Sequence, residues 1–332
     1  MSDFKFQSVN KQLEESFRKN WERPALSNYQ GITLSYKDVA RRIEKLHIAF
    51  ERCFLHKGDK VAICARNQVN WGVSFLATMT YGAVCVPILH EFKSGNIHYL
   101  VNHSGWEGLN IDEMPELYAV VQINTFKLLY ARNERIVESR EHMNEYFGKR
   151  HPNSFEPENI CYYKDSANEL ALINYTSGTS GFSKGVMIPY RALCSNIQFA
   201  KHVLPELNDR SNVVSMLPSA HMYGMMFEFL FEMSIGMHVH FLTRTPSPKI
   251  IMQAFEEIKP NIIIAVPLII EKVYKSKIQK MVEKGGLKTL LKVPVIDKVI
   301  QKKIRTELVN AFGNQFIEVI MGGAAFNKDI EN

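Results

Sequence analysis

Residues Tyr175–Val186 read YTSGTSGFSKGV: five small hydroxyl side chains, three glycines, one lysine and no acid. The stretch follows the apolar run LALINY, which reads as a buried strand, so the loop leaves a strand at its C-terminal end. Open α/β sheets place their ligands there. Glycines let backbone N–H groups turn toward an anion, hydroxyls donate further hydrogen bonds or ligate a metal, and Lys184 adds positive charge. The physical partner that suits this chemistry best is a polyphosphate. A flexible Ser/Gly surface loop is the bland alternative, but the preceding strand, the lysine and the immediate return to VMI weigh against it. Neither standard nucleotide loop is present. The GxxxxGK[ST] spacing fails because Ser183 precedes Lys184 and Gly185 follows it, and no GxGxxG occurs.

Outward from the loop, strand-like and helix-like segments alternate. Ser35 reads as the N-cap of a helix through Phe54, with Val39, Ile43, Leu46 and Phe50 on one face. KVAICA reads as a strand, Asn70 to Tyr81 as a helix stopped by Gly82, and AVCVPI as a strand. After the loop come a helix from about Pro189 to Val203, the strand VVSML, a helix from about Ala220 to Gly236, and the strand MHVHFL. A helix from Pro248 to Lys259 and the strand NIIIAV follow. Continuous apolar strands between helices predict α/β architecture, with mostly parallel sheets covered by helices. The stretch from Trp106 to Ser166 has a weak pattern. It ends the first of two expected α/β subdomains, 1–165 and 166–332. FIEVIM, Gly322-Gly323 and a helix capped by Asn327 close the sequence. The chain is expected to be a fragment of a longer protein, because that last helix scarcely begins before Asn332.

The chain has 332 residues, 46% hydrophobic and 22% charged, which suits a globular protein with a sizeable core. Its net charge of +6 is uneven: Glu271 to Arg305 holds ten lysines and one arginine against Glu271, Glu283 and Asp297. Solvated helices account for such a run most simply; a patch for an anionic membrane surface or ligand is the sharper reading. Nothing resembles a nucleic-acid-binding signature. The five scattered cysteines form no CxxC pair and point to a reducing compartment. No signal-peptide core or spanning segment is evident, so a cytoplasmic location is expected, with peripheral contact at the inner membrane face through Lys272–Arg305.

The loop closely resembles the phosphate-loop signature of the adenylate-forming, AMP-binding superfamily. Ser180 stands where that signature has a second threonine, and Ser183 where it has a proline. Other segments resemble the family in the same order: ITLSYKDVARRIEKL, the unit from Lys57 to Ile88, MLPSAHMYGMMFEFLFEMSIGMHVHFL and MGGAAF. The third is most similar to bacterial long-chain fatty acyl-CoA synthetases. The resemblance implies the large N-terminal region of the adenylate-forming fold. It also implies that Thr176, Ser177, Gly178, Thr179, Ser180, Gly181, Lys184 and Gly185 hold the ATP phosphates, with Thr176 helping to ligate Mg2+. Gly322, Gly323 and Ala324 would line the adenine. His221 would sit beside the substrate carboxylate and nucleotide, serving catalysis with Lys184. Met222, Tyr223, Gly224, Met225 and Phe227 would lie near the acyl pocket, although an apolar helix facing the core gives the same pattern. His238 and His240 share a strand face, but no third metal ligand is evident beside them.

The implied reaction activates a carboxylic acid, a fatty acid first among candidates, with ATP and transfers the acyl group to coenzyme A. The family's later parts, a YGxTE-like segment, a ribose-binding aspartate and a C-terminal lid domain with a catalytic lysine, do not occur through Asn332. The fragment alone is therefore expected to be inactive. Two alternatives remain: activation of an aryl or amino acid, and a non-catalytic nucleotide-binding protein. An amino-acid activator carries an aspartate near the start of the helix after His221, where Met225, Met226 and Phe227 stand and Glu228 is the only nearby acid.

Overall fold

The structure, a computed structural model, describes residues 5–91, 118–176, 184–275, 302 and 305–325. Helix α1 (Val9–Lys19) is N-capped by Ser8, whose hydroxyl accepts from the Lys11 amide at 3.1 Å, and distant sequence adds to the cap. The buried Asp165 carboxylate accepts from the Ser8 hydroxyl at 2.5 Å and from the Val9 and Asn10 amides at 2.9 and 3.0 Å. This anion at a helix N-terminus satisfies amides that have no partner within the helix. Strands β1 (Pro24–Asn28) and β2 (Thr33–Ser35) lead into α2 (Tyr36–Arg52), where Ser35 and Asp38 form a capping box.

Strand β3 (Lys60–Cys64), helix α3 (Val69–Tyr81) and strand β4 (Val84–Ile88) follow the expected strand–helix–strand order, with Gly82 in the left-handed region ending the helix. The weakly patterned stretch contains an antiparallel pair, β5 (Ala119–Gln122) and β6 (Lys127–Ala131), and two short helices, α4 (Glu134–Glu141) and α5 (Met143–Arg150). Strands β7 (Leu170–Thr176) and β8 (Lys184–Pro189) flank the phosphate-loop sequence, and α6 (Tyr190–Val203) leads to β9 (Asn212–Ser215).

Helix α7 (Met222–Met225) runs through a π-helical segment (Met226–Leu230) into α8 (Phe231–Ile235), which Gly236 ends. Strand β10 (His238–Phe241), helix α9 (Pro248–Ile258), strand β11 (Ile262–Ala265), helix α10 (Pro267–Tyr274) and strand β12 (Glu318–Met321) complete the described elements.

The strands form a six-stranded sheet, β12-β11-β9-β10-β1-β2, and a four-stranded sheet, β3-β4-β7-β8, beside the two-stranded β5-β6 pair. Pairing in the two larger sheets is parallel except where β2 meets β1 and β8 meets β7. Both larger sheets draw strands from either side of residue 165. The main core joins α1, α2, α3 and the helix after His221; Trp71, Phe75 and Phe229 meet with ring centroids 5.2 to 5.7 Å apart. No helix among the described residues is long and apolar enough to cross a membrane. The basic window lies outside the described residues except for Lys272–Lys275, Lys302 and Arg305, and the helix expected at Asn327 lies wholly outside them.

Several titratable groups sit inside this core. Burial lowers the pKa values of His47 and His238 to about 4 and of His240 to about 3, so they are neutral when folded. Burial raises Glu232 to about 8 and moves Glu228 upward as well. The histidines bind protons only on unfolding, so they remove stability as pH falls from about 6.5 toward 4. The glutamates lose protons on unfolding, so they remove stability as pH rises from about 4.5 toward 8. Thermal unfolding from pH 4 to 9 should show maximal stability between pH 6 and 7. Glu232→Gln should flatten the alkaline limb, steepen the acid limb above about pH 4.5 and move the optimum to higher pH.

Candidate active site

Strand β7 is buried from Ala171 to Tyr175 and reaches the surface at Thr176. Its antiparallel partner β8 begins at Lys184, and the two residues face each other in register, as do Tyr175 and Gly185. The ladder therefore brings the two ends of the phosphate-loop sequence together and leaves Thr176 and Lys184 exposed. Ser177, Gly178, Thr179, Ser180 and Gly181 lie outside the described residues.

Asn174, one residue before Tyr175, is buried, and its side-chain amide donates to the Ala220 carbonyl at 2.9 Å. This bond ties the strand before the loop to the segment carrying His221. Two further buried side chains hold that segment. Asn67 donates to the Leu217 carbonyl at 2.6 Å and accepts from the Ser219 amide at 2.8 Å. The Glu228 carboxyl accepts from the Met216 and Leu217 amides at 3.0 and 2.9 Å. The segment leaves β9 with its backbone groups in an apolar interior, where an unpaired amide or carbonyl is costly. Side chains from three separate elements supply the missing partners.

His221 is exposed and acts as the N-cap of α7, with its Nδ1 accepting from the Tyr223 amide at 3.4 Å. Glycine at 224 is a packing requirement, because a Cβ there would lie 2.9 Å from the Leu217 Cβ and 3.0 Å from the Pro218 carbonyl oxygen. Tyr223 reaches the third segment. Its hydroxyl donates to the Ile320 carbonyl at 3.2 Å, and a Cβ on Gly322 would lie 2.9 Å from its ring. Burial and the nearby Glu228 push the Tyr223 hydroxyl up to about 12, so it remains a donor near neutral pH. The Gly322 amide continues the β11–β12 pairing by donating to the Ala265 carbonyl. Gly323 and Ala324 are exposed beyond it.

The expected acyl-pocket residues divide. Met222, Tyr223 and Phe227 are half-buried, whereas Gly224 and Met225 are buried, Met225 within the main core. Sequence reasoning did not single out Asn67 or Asn174, although an asparagine inside LALINYT was a visible break in an apolar strand. It noticed Glu228 only as a candidate partner for a substrate amine. The structure turns that carboxyl into the protein, at 0% exposure. The His238 and His240 rings stack at 3.8 Å, and their Nε2 atoms contact Ser27 Oγ and Asn212 Oδ1.

A magnesium ion favours oxygen ligands, commonly carboxylates together with water and substrate phosphates. Among the described residues no cluster of three acidic, histidine or cysteine side chains is placed to hold a metal. Thr176, the expected magnesium ligand, is exposed at the end of β7.

The Tyr223–Gly322 contact makes a direct test. Gly322→Ala should destabilise the protein by about 1–3 kcal/mol through overpacking. Tyr223→Ala removes the obstructing ring, so the double variant should be more stable than the sum of the single effects predicts, as read by denaturant unfolding. Additive losses would show that the two residues do not touch.

Comparison with known proteins places this geometry in a family. The sequence profile described as "AMP-binding enzyme" matches residues 13–330. Long chain acyl-CoA synthetase 3 of Arabidopsis thaliana is 25% identical over 324 residues, covering 88% of this chain and 48% of that protein. Long-chain-fatty-acid–CoA ligase 5 of Rattus norvegicus is 28% identical over 292 residues, covering 80% of this chain and 41% of that protein. The chain thus spans about half the length of these curated relatives. In fold, it resembles the inhibitor-bound N-terminal domain of FACL13 from Mycobacterium tuberculosis, with a TM-score of 0.68 and 16% identity over 98% of this chain and 72% of that one. ATP-bound MatB from Rhodopseudomonas palustris superposes with a TM-score of 0.66 and 17% identity over 96% of this chain and 55% of that one. With its mixed α/β sheets and the order of its three site segments, the chain belongs to the AMP-binding enzyme family and has the adenylate-forming fold.

Proposed function

We propose that this chain forms the nucleotide- and acyl-binding part of an enzyme that activates a fatty acid with ATP and passes the acyl group to coenzyme A. The observation that carries the reading is the linkage of three segments: Thr176 and Lys184 at one strand end, His221 tied to that strand through Asn174, and Gly322 against Tyr223. The names of the curated relatives support a long-chain fatty acid as the carboxylate.

In the first step a carboxylate oxygen attacks the α-phosphorus of ATP. An acyl-phosphate bond forms, and the bond to the leaving pyrophosphate breaks. In the second step a thiolate attacks the acyl carbon, and AMP leaves as the thioester forms. Lys184 and the loop hydroxyls offset charge on the phosphates, while bound Mg2+ supplies further charge neutralisation there. Exposed His221 caps the helix whose Tyr223 rests on Gly322, and from there it orients the carboxylate beside the nucleotide. Gly322, Gly323 and Ala324 provide a low, flat rim for adenine. Most of this work is positioning and charge stabilisation rather than proton transfer.

Glu228 favours a fatty acid over an amino acid. The sole acid near the start of the helix is buried and engaged with two backbone amides, so it offers no charge to a substrate amine. A cytoplasmic protein touching the membrane surface through Lys272–Arg305 suits a substrate that partitions into lipid; such contact should weaken with added salt.

The test is carboxylate-dependent ATP–pyrophosphate exchange, measured on the longest natural polypeptide containing this chain. Fatty acids of graded length would be compared with aryl and amino acids. Exchange should require a fatty acid and fall on the order of 10²-fold in Lys184→Ala. ATP binding without exchange for any acid would overturn the enzymatic reading in favour of a non-catalytic nucleotide-binding protein.

A further inference from the structure

Glu228 lies in the π-helical segment, seven residues after His221, with its side chain at 0% exposure. Its Oε2 accepts from two consecutive amides, Met216 and Leu217, just where the chain leaves β9 for His221. A π turn takes up an extra residue relative to an α-helix, which rotates the following side chains by about 100° around the axis. π segments of this kind recur at functional sites. Here the segment carries the carboxyl that meets the start of the loop. Asn67 and Asn174 hold the later backbone groups, at Leu217, Ser219 and Ala220.

We propose that Glu228 is a positioning residue for the active site: by gathering the Met216 and Leu217 amides, it fixes the segment that presents His221. The proposal rests on the reading of His221 as a site residue. Glu228 touches no substrate and acts through the loop. The chain turns at Pro218, whose carbonyl accepts from the His221 amide at 2.9 Å. His221 then caps α7 through Nδ1. Slack at Met216 and Leu217 passes through this turn to the imidazole; Asn67 holds the Leu217 carbonyl, whereas the Met216 and Leu217 amides are held by Glu228.

The bonding of the carboxyl says which substitution should preserve this role. Burial, with Glu232 nearby, drives the Glu228 pKa well above the carboxylate range, against the two amides that favour the ionised form. The two amides need one acceptor oxygen at this position, which a glutamine amide can reproduce. Leucine fills similar space but provides no acceptor.

The experiment is 15N NMR of the His221 imidazole in the 332-residue chain, assigned with His221→Gln and recorded beside thermal unfolding. An Nδ1 that accepts a hydrogen bond marks the Nε2–H tautomer, and the wild-type protein should show that single tautomer. Glu228→Gln should preserve it. Glu228→Leu should shift the two ring nitrogens toward averaged values. Phe255→Leu, in a separate core cluster, supplies a destabilised control and should leave the His221 signals in place. If Glu228→Leu does not fold, Glu228→Asp, which withdraws the acceptor by one methylene, should show a smaller shift of the same sign. Wild-type His221 signals in a folded Glu228→Leu or Glu228→Asp variant would overturn the proposal, as would an equal shift in Phe255→Leu. No substrate enters this measurement, so its outcome is distinguishable from a failure of the exchange assay.

Discussion

The bond from the Asn174 side chain to the Ala220 carbonyl is the constraint around which the site is arranged. It crosses from the four-stranded sheet to a segment emerging from the six-stranded sheet. Both partners are buried, so the bond is shielded from water and either group left alone would be costly. Among the described residues, it ties the strand before the phosphate-loop sequence directly to the segment bearing His221. With it, the register of β7 governs where His221 lies relative to Thr176 and Lys184.

The interleaved topology makes the arrangement possible. Strands β9, β11 and β12 run parallel, so their C-terminal ends share one edge of the larger sheet. Leu217, Val266 and Gly322 all emerge from that edge, and Tyr223 closes the gap by resting on Gly322. The helix after His221 presents the same division along its length. Tyr223 and Phe227 remain partly accessible, while Met225, Phe229 and Leu230 pack into the core. The buried face is tied to the rest of the protein by Trp71 and Phe75, which gives the exposed face a rigid backing.

Much of this was legible in the sequence because strong local signals agreed. The capping box at Ser35, the stop at Gly82 and the apolar run IIIA each have a local physical cause, and the corresponding elements form where that cause acts. The segments of YTSGTSGFSKGV, LPSAHMYG and MGGAAF named the family because their residue types are unusual in combination. What remained hidden depends on partners distant in sequence. Ser8 caps helix α1 locally, but the Asp165 carboxyl that meets the Val9 and Asn10 amides lies more than 150 residues away, and nothing near Val9 signals it. The pairing of β1 with β10 and of β4 with β7 follows from packing rather than local pattern. Glu228 was visible as one of two acids, with Glu232, in an apolar helix, but the π turn that aims it at Met216 has no comparable local signal.

The central claim is that the Thr176–Lys184 strand ends, the His221 segment and the Gly322–Gly323 turn form one site. The most direct measurement is an NMR titration of this chain with a hydrolysis-resistant fatty-acyl adenylate, following signals from all three segments. The account predicts that they shift together along a single binding curve with one dissociation constant. Shifts confined to one segment, or curves with different midpoints in the three, would contradict it.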